Sequence, residues 1–155
     1  DFLAAVGKDG DPALMCQLYQ TSLGEDCTPI HDALRVCSIL HERGYKLSII
    51  TNGRSTTQHS RLSHSELTPM ISDLFISEEL GCQKPKKEFF DIVFSKLQIP
   101  VSKALVIGDS LTSDIIGGIQ YGIDTCWFNP NGSDNTMSQT PTYEIKQLSE
   151  LLSIL

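Results

Sequence analysis

Four short runs of apolar, largely β-branched residues constrain the fold most. None of them alternates polar and apolar residues, which is typical of strands covered on both faces. The runs are Lys46–Thr51, Asp73–Ser77, Lys103–Asp109 and Ile123–Phe128. Because helical patterns separate these runs, the sequence predicts an α/β fold. We expect a parallel sheet in which right-handed crossovers place helices on both faces.

The helical patterns between the runs have recognisable ends. Gly44 and Gly122 follow two of the apolar stripes, and Pro100 closes a third. The predicted helices are Pro12–Leu23, Ile30–Arg43, Gln58–Leu67, Lys86–Leu97, Leu111–Tyr121 and a terminal helix around Gln147–Leu155. A polar loop follows the fourth apolar run, and Tyr143–Ile145 after it is predicted as a short edge strand. No repeat or linker divides the chain.

Charge and composition exclude several classes of function. The 155 residues carry 12 basic and 19 acidic side chains, a net charge of −7, which argues against a nucleic-acid partner. No apolar run approaches the roughly 20 residues that a membrane span needs, so no membrane partner is expected. The five cysteines are scattered and form no CxxC pair, which predicts a cytoplasmic location rather than a disulfide framework. The sequence does not indicate an oligomeric state.

Two polar segments near strand ends could contact an anion. Thr51, Asn52 and Gly53 directly follow the first apolar run, where a hydroxyl and backbone N–H groups can hold a phosphate oxygen. The alternative for this segment is an ordinary Asn-Gly turn. Lys84 precedes Pro85 shortly after the second run and could neutralise a phosphoryl group, although an isolated lysine is more often exposed to solvent.

A third segment offers two carboxylates. Asp109 closes the third apolar run, and Asp114 lies five residues further on, at the start of a predicted helix. Mg²⁺ binds through one or two carboxylates together with waters and a substrate phosphate, so this pair suits a magnesium site. The alternative is that Asp109 or Ser110 only caps the helix.

These segments resemble a known family. TNG after one strand, QKP before a helix and IGDSLTSDIIGG after another strand are similar to motifs II, III and IV of the haloacid dehalogenase (HAD) superfamily. The longer stretches ITNGRSTTQHSRL, FISEELGCQKPKKEFFD and VIGDSLTSDIIGGIQYGIDTCWFNP look like the pyrimidine 5′-nucleotidase branch, from about residue 29 to the end. The resemblance implies a HAD-like Rossmannoid core and a Mg²⁺-dependent phosphatase acting on a small phosphorylated metabolite, a nucleoside 5′-monophosphate.

The resemblance also implies a role for each candidate residue. Thr51 would hydrogen-bond the transferring phosphoryl group, with the backbone N–H of Asn52 and the flexible Gly53 beside it. Lys84 would offset charge on the phosphate and on the nucleophile, so Thr51 and Lys84 are the candidate catalytic residues. Asp109 and Asp114 would hold Mg²⁺, directly or through water.

One expected motif is missing. The family's nucleophile is an aspartate in a DxDxT motif on a central strand between the TNG and GDS strands, and it forms an aspartyl-phosphate. This sequence contains no DxDxT; Asp9-Gly10-Asp11 has the acid spacing but no preceding apolar strand, and we interpret it as a helix-start loop. Without the nucleophile we expect no turnover by this chain, whereas phosphate binding could survive.

The missing strand sets the expected domain organisation. Residues 1–27 would be the last helix of an inserted helical cap and a linker, and residues 28–155 the α/β core without its central strand. Because the chain begins with Asp1, we expect a fragment of a longer phosphatase. The first and third apolar runs would then either pair directly or leave a gap. The alternative function is a non-catalytic phosphate-binding or interaction module of the same fold.

The four histidines show no metal-ligand spacing and are expected at the surface or at helix ends. His59 and His64 fall near the TNG segment, where a substrate contact is conceivable.

Overall fold

The structure is a computed structural model that describes residues 10–155. Five strands and seven α-helices alternate along these residues, with short 3₁₀ turns between some of them. The strands are β1 (Leu47–Thr51), β2 (Ile71–Ile76), β3 (Leu105–Gly108), β4 (Asp124–Phe128) and β5 (Tyr143–Ile145). The helices are α1 (Pro12–Glu25), α2 (Ala33–Glu42), α3 (Ser55–Ser63), α4 (Ser77–Leu80), α5 (Lys87–Leu97), α6 (Ile116–Tyr121) and α7 (Leu151–Ile154).

The strands form two parallel sheets. β1 pairs with β2 over five register positions, from Leu47 opposite Ile71 to Thr51 opposite Ile76. The second sheet has the order β3-β4-β5, also parallel throughout. Neither β1 nor β3 pairs with a further strand among the described residues, so each ends its sheet. We call the break between β1 and β3 the strand gap; of the outcomes expected from the sequence, direct pairing of these strands is not observed.

Two buried clusters lie on opposite faces of the strands. One joins Phe75 of β2 and Val106 of β3 to the aromatic stripe of α5, in which Phe89 and Phe90 are fully buried. The other joins Cys126 of β4 to α2, β5 and α7, with Leu47 and Leu105 packed against it. Each cluster takes residues from both sheets. The prediction of an α/β fold with helices on both faces is therefore confirmed.

Helix α1 lies apart from these clusters and packs on α3. Its N-cap is Asp11, whose side chain accepts a hydrogen bond from the Ala13 N–H at 2.9 Å. Asp11 therefore stands at the start of a helix, as predicted. Asp9, the other acidic residue of that prediction, lies outside the described residues. Thr57 of α3 donates to the Gln20 side chain at 2.9 Å, which ties the two helices together. The opposite face of α1 exposes Leu14, Met15, Leu18 and Tyr19.

Several element boundaries differ from the predicted ones. The helix predicted over Gln58–Leu67 is α3, which begins at Ser55 because Glu78 and Glu79 accept hydrogen bonds from the Ser55 N–H and hydroxyl. The strand predicted from Lys103 starts at Leu105, after a 3₁₀ turn. The helix predicted from Leu111 opens with a π-helical turn over Leu111–Ile115. The short α4 was not predicted. In residues 10–155 no helix is long and apolar enough to span a membrane.

Candidate functional site

Lys84 lies at the centre of the candidate site and is buried. Only 7% of the residue is exposed, and its Nζ donates to the Ile50 carbonyl at 2.6 Å and to Asp114 Oδ1 at 2.7 Å. Ile50 is in β1 and Asp114 follows β3, so this one ammonium group bridges the two sheets at the carboxyl ends of their strands. Burying a charge in this way is tolerable only because it is paired and hydrogen-bonded. The prior expectation for an isolated lysine, a solvated surface side chain, is wrong for Lys84.

The segment after β1 is fixed to the Lys84 loop. The Asn52 side chain donates from Nδ2 to the Lys84 carbonyl at 2.9 Å and accepts the Lys84 N–H at Oδ1 at 3.0 Å. The Gly53 N–H donates to Ser77 Oγ at 3.1 Å, so it is already engaged at the start of α4. In the described part of the chain the Thr51 hydroxyl has no hydrogen-bond partner, which leaves it available to an anion.

The buried Asp114 carboxylate occupies space that Gly108 leaves free because it has no side chain. Its Oδ1 accepts the Lys84 ammonium and its Oδ2 accepts the Ser110 N–H at 3.3 Å. A Cβ on Gly108 would overlap this carboxylate, so the last residue of β3 must lack a side chain. Ser110 precedes the π-helical turn without a side-chain cap hydrogen bond. The backbone N–H at the start of this turn is therefore bonded by the Asp114 carboxylate, and not by a side-chain cap from Asp109 or Ser110.

Asp109 lies at the rim of a groove. Its backbone carbonyl accepts the Trp127 indole N–H at 3.1 Å, and the residue itself is exposed. The groove has a volume of about 500 Å³ and an apolar wall. The wall residues are Ile30, Ile107, Trp127, Phe128 and Leu148. A carboxylate beside an open apolar groove can hold a cation and still leave room for an organic group.

The structure thus brings the sequence-predicted residues together. Asn52, Lys84 and Asp114 form one hydrogen-bonded network at the ends of β1 and β3. Thr51 directly precedes Asn52, and Asp109 directly precedes Ser110, whose N–H donates to Asp114. The network through Ile50, the Asn52 amide and Ser77 was not predicted, because these contacts join residues 24 to 34 positions apart in the chain. No local sequence signal marks them.

The histidines near the TNG segment have other partners. His59 Nε2 contacts Glu79 Oε1 at 2.7 Å, and His64 Nδ1 contacts the Ser60 carbonyl at 2.8 Å. The Ser55 hydroxyl and then His59 hold the pKa of the Glu79 carboxyl below its ordinary value. The His59 contact ties α3 to α4, whereas the His64 contact lies within the last turn of α3.

Comparison with known proteins agrees with this geometry. The sequence profile of the haloacid dehalogenase-like hydrolases matches residues 5–128. The chain belongs to this family. YfnB of Bacillus subtilis is 45% identical to the present HAD chain over 154 residues, which cover 99% of the chain and 65% of YfnB. Pyrimidine 5′-nucleotidase PynA of Streptococcus pneumoniae is 38% identical over 150 residues, 96% of the chain and 63% of PynA.

The fold of the HAD chain matches solved structures as well. A crystal structure of YfnB described as bound to magnesium superposes with a TM-score of 0.92 at 44% identity, covering 98% of this chain and 67% of that one. The HAD chain thus spans a little under two thirds of the length of YfnB and PynA.

The acidic residues of the HAD chain fit a magnesium ion in part. Within residues 10–155 no three His, Cys, Asp or Glu side chains lie close enough together to form a complete metal cluster. Mg²⁺ requires only one or two carboxylates, because waters and a substrate phosphate supply the other oxygens. Asp109 offers a carboxylate with no hydrogen-bond partner among the described residues, and Asp114 retains lone pairs beyond its two hydrogen bonds. The donor set therefore suits Mg²⁺ bound with solvent and an anion.

Proposed function

We propose that this HAD chain is the main part of the catalytic core of a Mg²⁺-dependent phosphatase whose substrate is a nucleoside 5′-monophosphate. The observation that carries the proposal is the Lys84 ammonium, held buried between the ends of β1 and β3 against the carbonyl of Ile50, the residue before Thr51. Two of its three protons are used, by Ile50 and Asp114, so one remains for a phosphoryl oxygen. The similarity to PynA supports the nucleotide as substrate.

The proposed roles follow from what each group can donate or accept. The Thr51 hydroxyl and the Asn52 backbone N–H donate to phosphoryl oxygens, and Gly53 lets the backbone approach the anion closely. Lys84 lowers the cost of negative charge on the phosphoryl group in the transition state. Asp109 and Asp114 would hold Mg²⁺, which when bound supplies further positive charge to the phosphate.

The nucleophile is the part that this chain does not provide. Phosphoryl transfer to a protein carboxylate requires an aspartate in line with the phosphate, and the sequence has no DxDxT motif. The strand gap between β1 and β3 lies at the place where the family's nucleophile strand would run. We therefore propose that the intact enzyme fills the gap with that strand, and that this chain is a fragment, inactive by itself.

We also propose that residues 1–27 are the remnant of a helical cap. Helix α1 contacts the rest of the chain through α3, and its apolar outer face has no cover among the described residues. A cap that packs on this face would close the site over the substrate. The partner of the whole protein is then a small phosphorylated metabolite, and the compartment proposed from the unpaired cysteines is the cytoplasm.

The experiment separates binding from turnover. Inorganic phosphate is titrated into ¹⁵N-labelled chain with Mg²⁺, and hydrolysis of UMP and an aryl phosphate is assayed in parallel. We expect phosphate-dependent shifts at Thr51, Asn52 and Ser110 and no turnover. Lys84→Gln should abolish the shifts, whereas Lys87→Gln, at an exposed lysine three residues away, should keep them. Robust turnover by the chain, or shifts unaffected by Lys84→Gln, would contradict the proposal.

The alternative, a non-catalytic phosphate-binding module, predicts the same binding result. The two proposals differ in what they predict for the coding sequence upstream of Asp1. A DxDxT segment there, together with loss of phosphatase activity in the longer protein on Asp109→Asn, supports the enzyme. If no such segment exists, the module remains.

A further inference from the structure

The side chain of Asn52 makes an unusual pair of contacts for a residue next to a proposed anion site. It holds both polar groups of one peptide residue: the Lys84 carbonyl by Nδ2 at 2.9 Å and the Lys84 N–H by Oδ1 at 3.0 Å. The Lys84 ammonium then returns to the Ile50 carbonyl, two residues before Asn52, at 2.6 Å. Lys84 is thus held at its backbone and at its side-chain end by the last residues of β1 and the residue that follows.

We propose that Asn52 is a positioning residue that acts through Lys84, fixing where the ammonium group stands relative to Thr51 and Asp114. This rests on the proposed function and deepens it, because it assigns to the Asn52 amide a task separate from the backbone N–H offered to phosphate. A lysine has four rotatable side-chain bonds, so its charged end is well placed only if its backbone is also fixed.

The geometry argues against simple loop anchoring. A residue that only anchored the loop could bond any nearby backbone group. Asn52 instead bonds Lys84, the residue whose side chain enters the site. The loop after β1 already has a separate tie, since the Gly53 N–H donates to Ser77 Oγ. The buried pair of Lys84 and Asp114 also depends on a defined separation, because a displaced ammonium would leave a buried carboxylate without its partner.

The chain contains a matched control. Asn129, after β4, makes the same kind of reciprocal pair with Ser133, at 2.9 Å to the Ser133 carbonyl and 2.9 Å from the Ser133 N–H. Asn129 also donates to Glu144 Oε1 at 2.7 Å, so it is a loop anchor with one side-chain hydrogen bond more than Asn52 and none to Lys84. Asn129→Ala therefore removes at least as many hydrogen bonds as Asn52→Ala, and the two variants differ in whether Lys84 is affected.

The measured quantity is the proton exchange rate of the Lys84 ammonium, followed by NMR of the ¹⁵N-lysine-labelled chain. The Lys84 signal is assigned as the one that disappears in Lys84→Gln. A buried, doubly bonded ammonium exchanges protons slowly, whereas exposed lysines exchange fast. In Asn52→Ala we expect its proton exchange to accelerate at least about tenfold, the scale of one to two lost hydrogen bonds. In Asn129→Ala the Lys84 signal should stay as in the unchanged chain, although the free energy of unfolding falls.

A second variant guards against misfolding. Asn52→Asp keeps an acceptor for the Lys84 N–H but places a charged oxygen, which cannot donate and repels the Lys84 carbonyl, where Nδ2 stood, so we expect faster ammonium exchange than in the unchanged chain. Unchanged Lys84 exchange in a folded Asn52→Ala or Asn52→Asp chain would overturn the assignment. Equal acceleration in Asn129→Ala would overturn it as well, because the effect would then be general loosening.

Phosphate titration of the same samples separates the two proposals. If the unchanged chain shows phosphate shifts and Asn52→Ala weakens them about tenfold or more, both proposals hold. If no sample responds to phosphate, the proposed function fails, and the Lys84 exchange data still decide whether Asn52 positions Lys84. If Asn52→Ala binds phosphate like the unchanged chain, the positioning role fails.

Discussion

Among the described residues, Lys84 forms the one ion pair in which both partners are buried. Its ammonium and the Asp114 carboxylate are 2.7 Å apart, and 7% and 8% of the two residues are exposed. Residue type alone gives no hint of this, because lysines are rarely buried and the partner lies 30 positions away in the chain. The resemblance of the QKP segment to motif III was the informative signal, and it concerned chemistry rather than burial.

Removing the Lys84 charge should destabilise the chain strongly. Lys84→Met leaves Asp114 buried without its cation, which costs about 3–5 kcal/mol for a buried pair. Urea unfolding followed by circular dichroism measures the loss. The comparison is Lys87→Met, which breaks the exposed pair of Lys87 with Asp91 and should leave the unfolding midpoint unchanged. Similar losses in both variants would contradict the structural role given to Lys84.

At the scale of elements, β3 shows the effect of the strand gap. Its run of apolar residues predicts a strand covered on both faces, yet Ile107 is 39% exposed while its neighbour Val106 is 7% exposed. The sequence carries the pattern of a strand buried on both faces, and the face that carries Ile107 is covered at Leu105, which packs on the second cluster, but is open at Ile107. The prediction of strand identity was therefore sound, and the prediction of two-sided burial fails at Ile107 because no described element lies over it.

The two positions should respond differently to the same chemical change. Val106→Thr places a hydroxyl in the core without a partner and should cost about 1–3 kcal/mol. Ile107→Thr, at an exposed position, should change the free energy of unfolding by less than about 0.5 kcal/mol. Both values come from urea unfolding of the isolated chain. A large loss in Ile107→Thr would show that the wall of the groove is covered in solution.

Element boundaries were predicted less well than element identity. All five strands were placed within two residues, since four of them are compact apolar runs between turn residues. Helix α3 was placed three residues late because its start depends on Glu78 and Glu79 from the segment after β2. Contacts of that kind join distant parts of the chain, so local pattern does not contain them. The Asn52 pair with Lys84 belongs to the same class.

For the molecule as a whole, the decisive property is that both buried clusters cross from one sheet to the other. The β1–β2 sheet contributes Phe75 to the first cluster and Leu47 to the edge of the second, and β3 and β4 contribute Val106 and Cys126. Two sheets without a shared strand thus share their cores. The sequence resemblance predicted a missing strand, and the packing shows how helices on both faces hold the halves together.

This sharing predicts one cooperative unit. The most protected amides of β2 and β4 should open with the same free energy in native-state hydrogen exchange, because neither sheet can expose its core alone. Amides of α1 serve as the internal control. They should open at lower free energy, since α1 is mostly exposed and packs on α3. A lower opening free energy for β2 than for β4 would mean that the two sheets unfold separately.

Trp127 gives the chain a built-in optical reporter. It is the only tryptophan in the sequence, it is buried, and its indole donates to the backbone of Asp109 at 3.1 Å. Any ion that draws on the Asp109 carboxylate therefore changes the polar surroundings of the single indole. The emission wavelength and quenching of Trp127 fluorescence can therefore report directly whether an ion is bound at Asp109, without a label or a coupled assay.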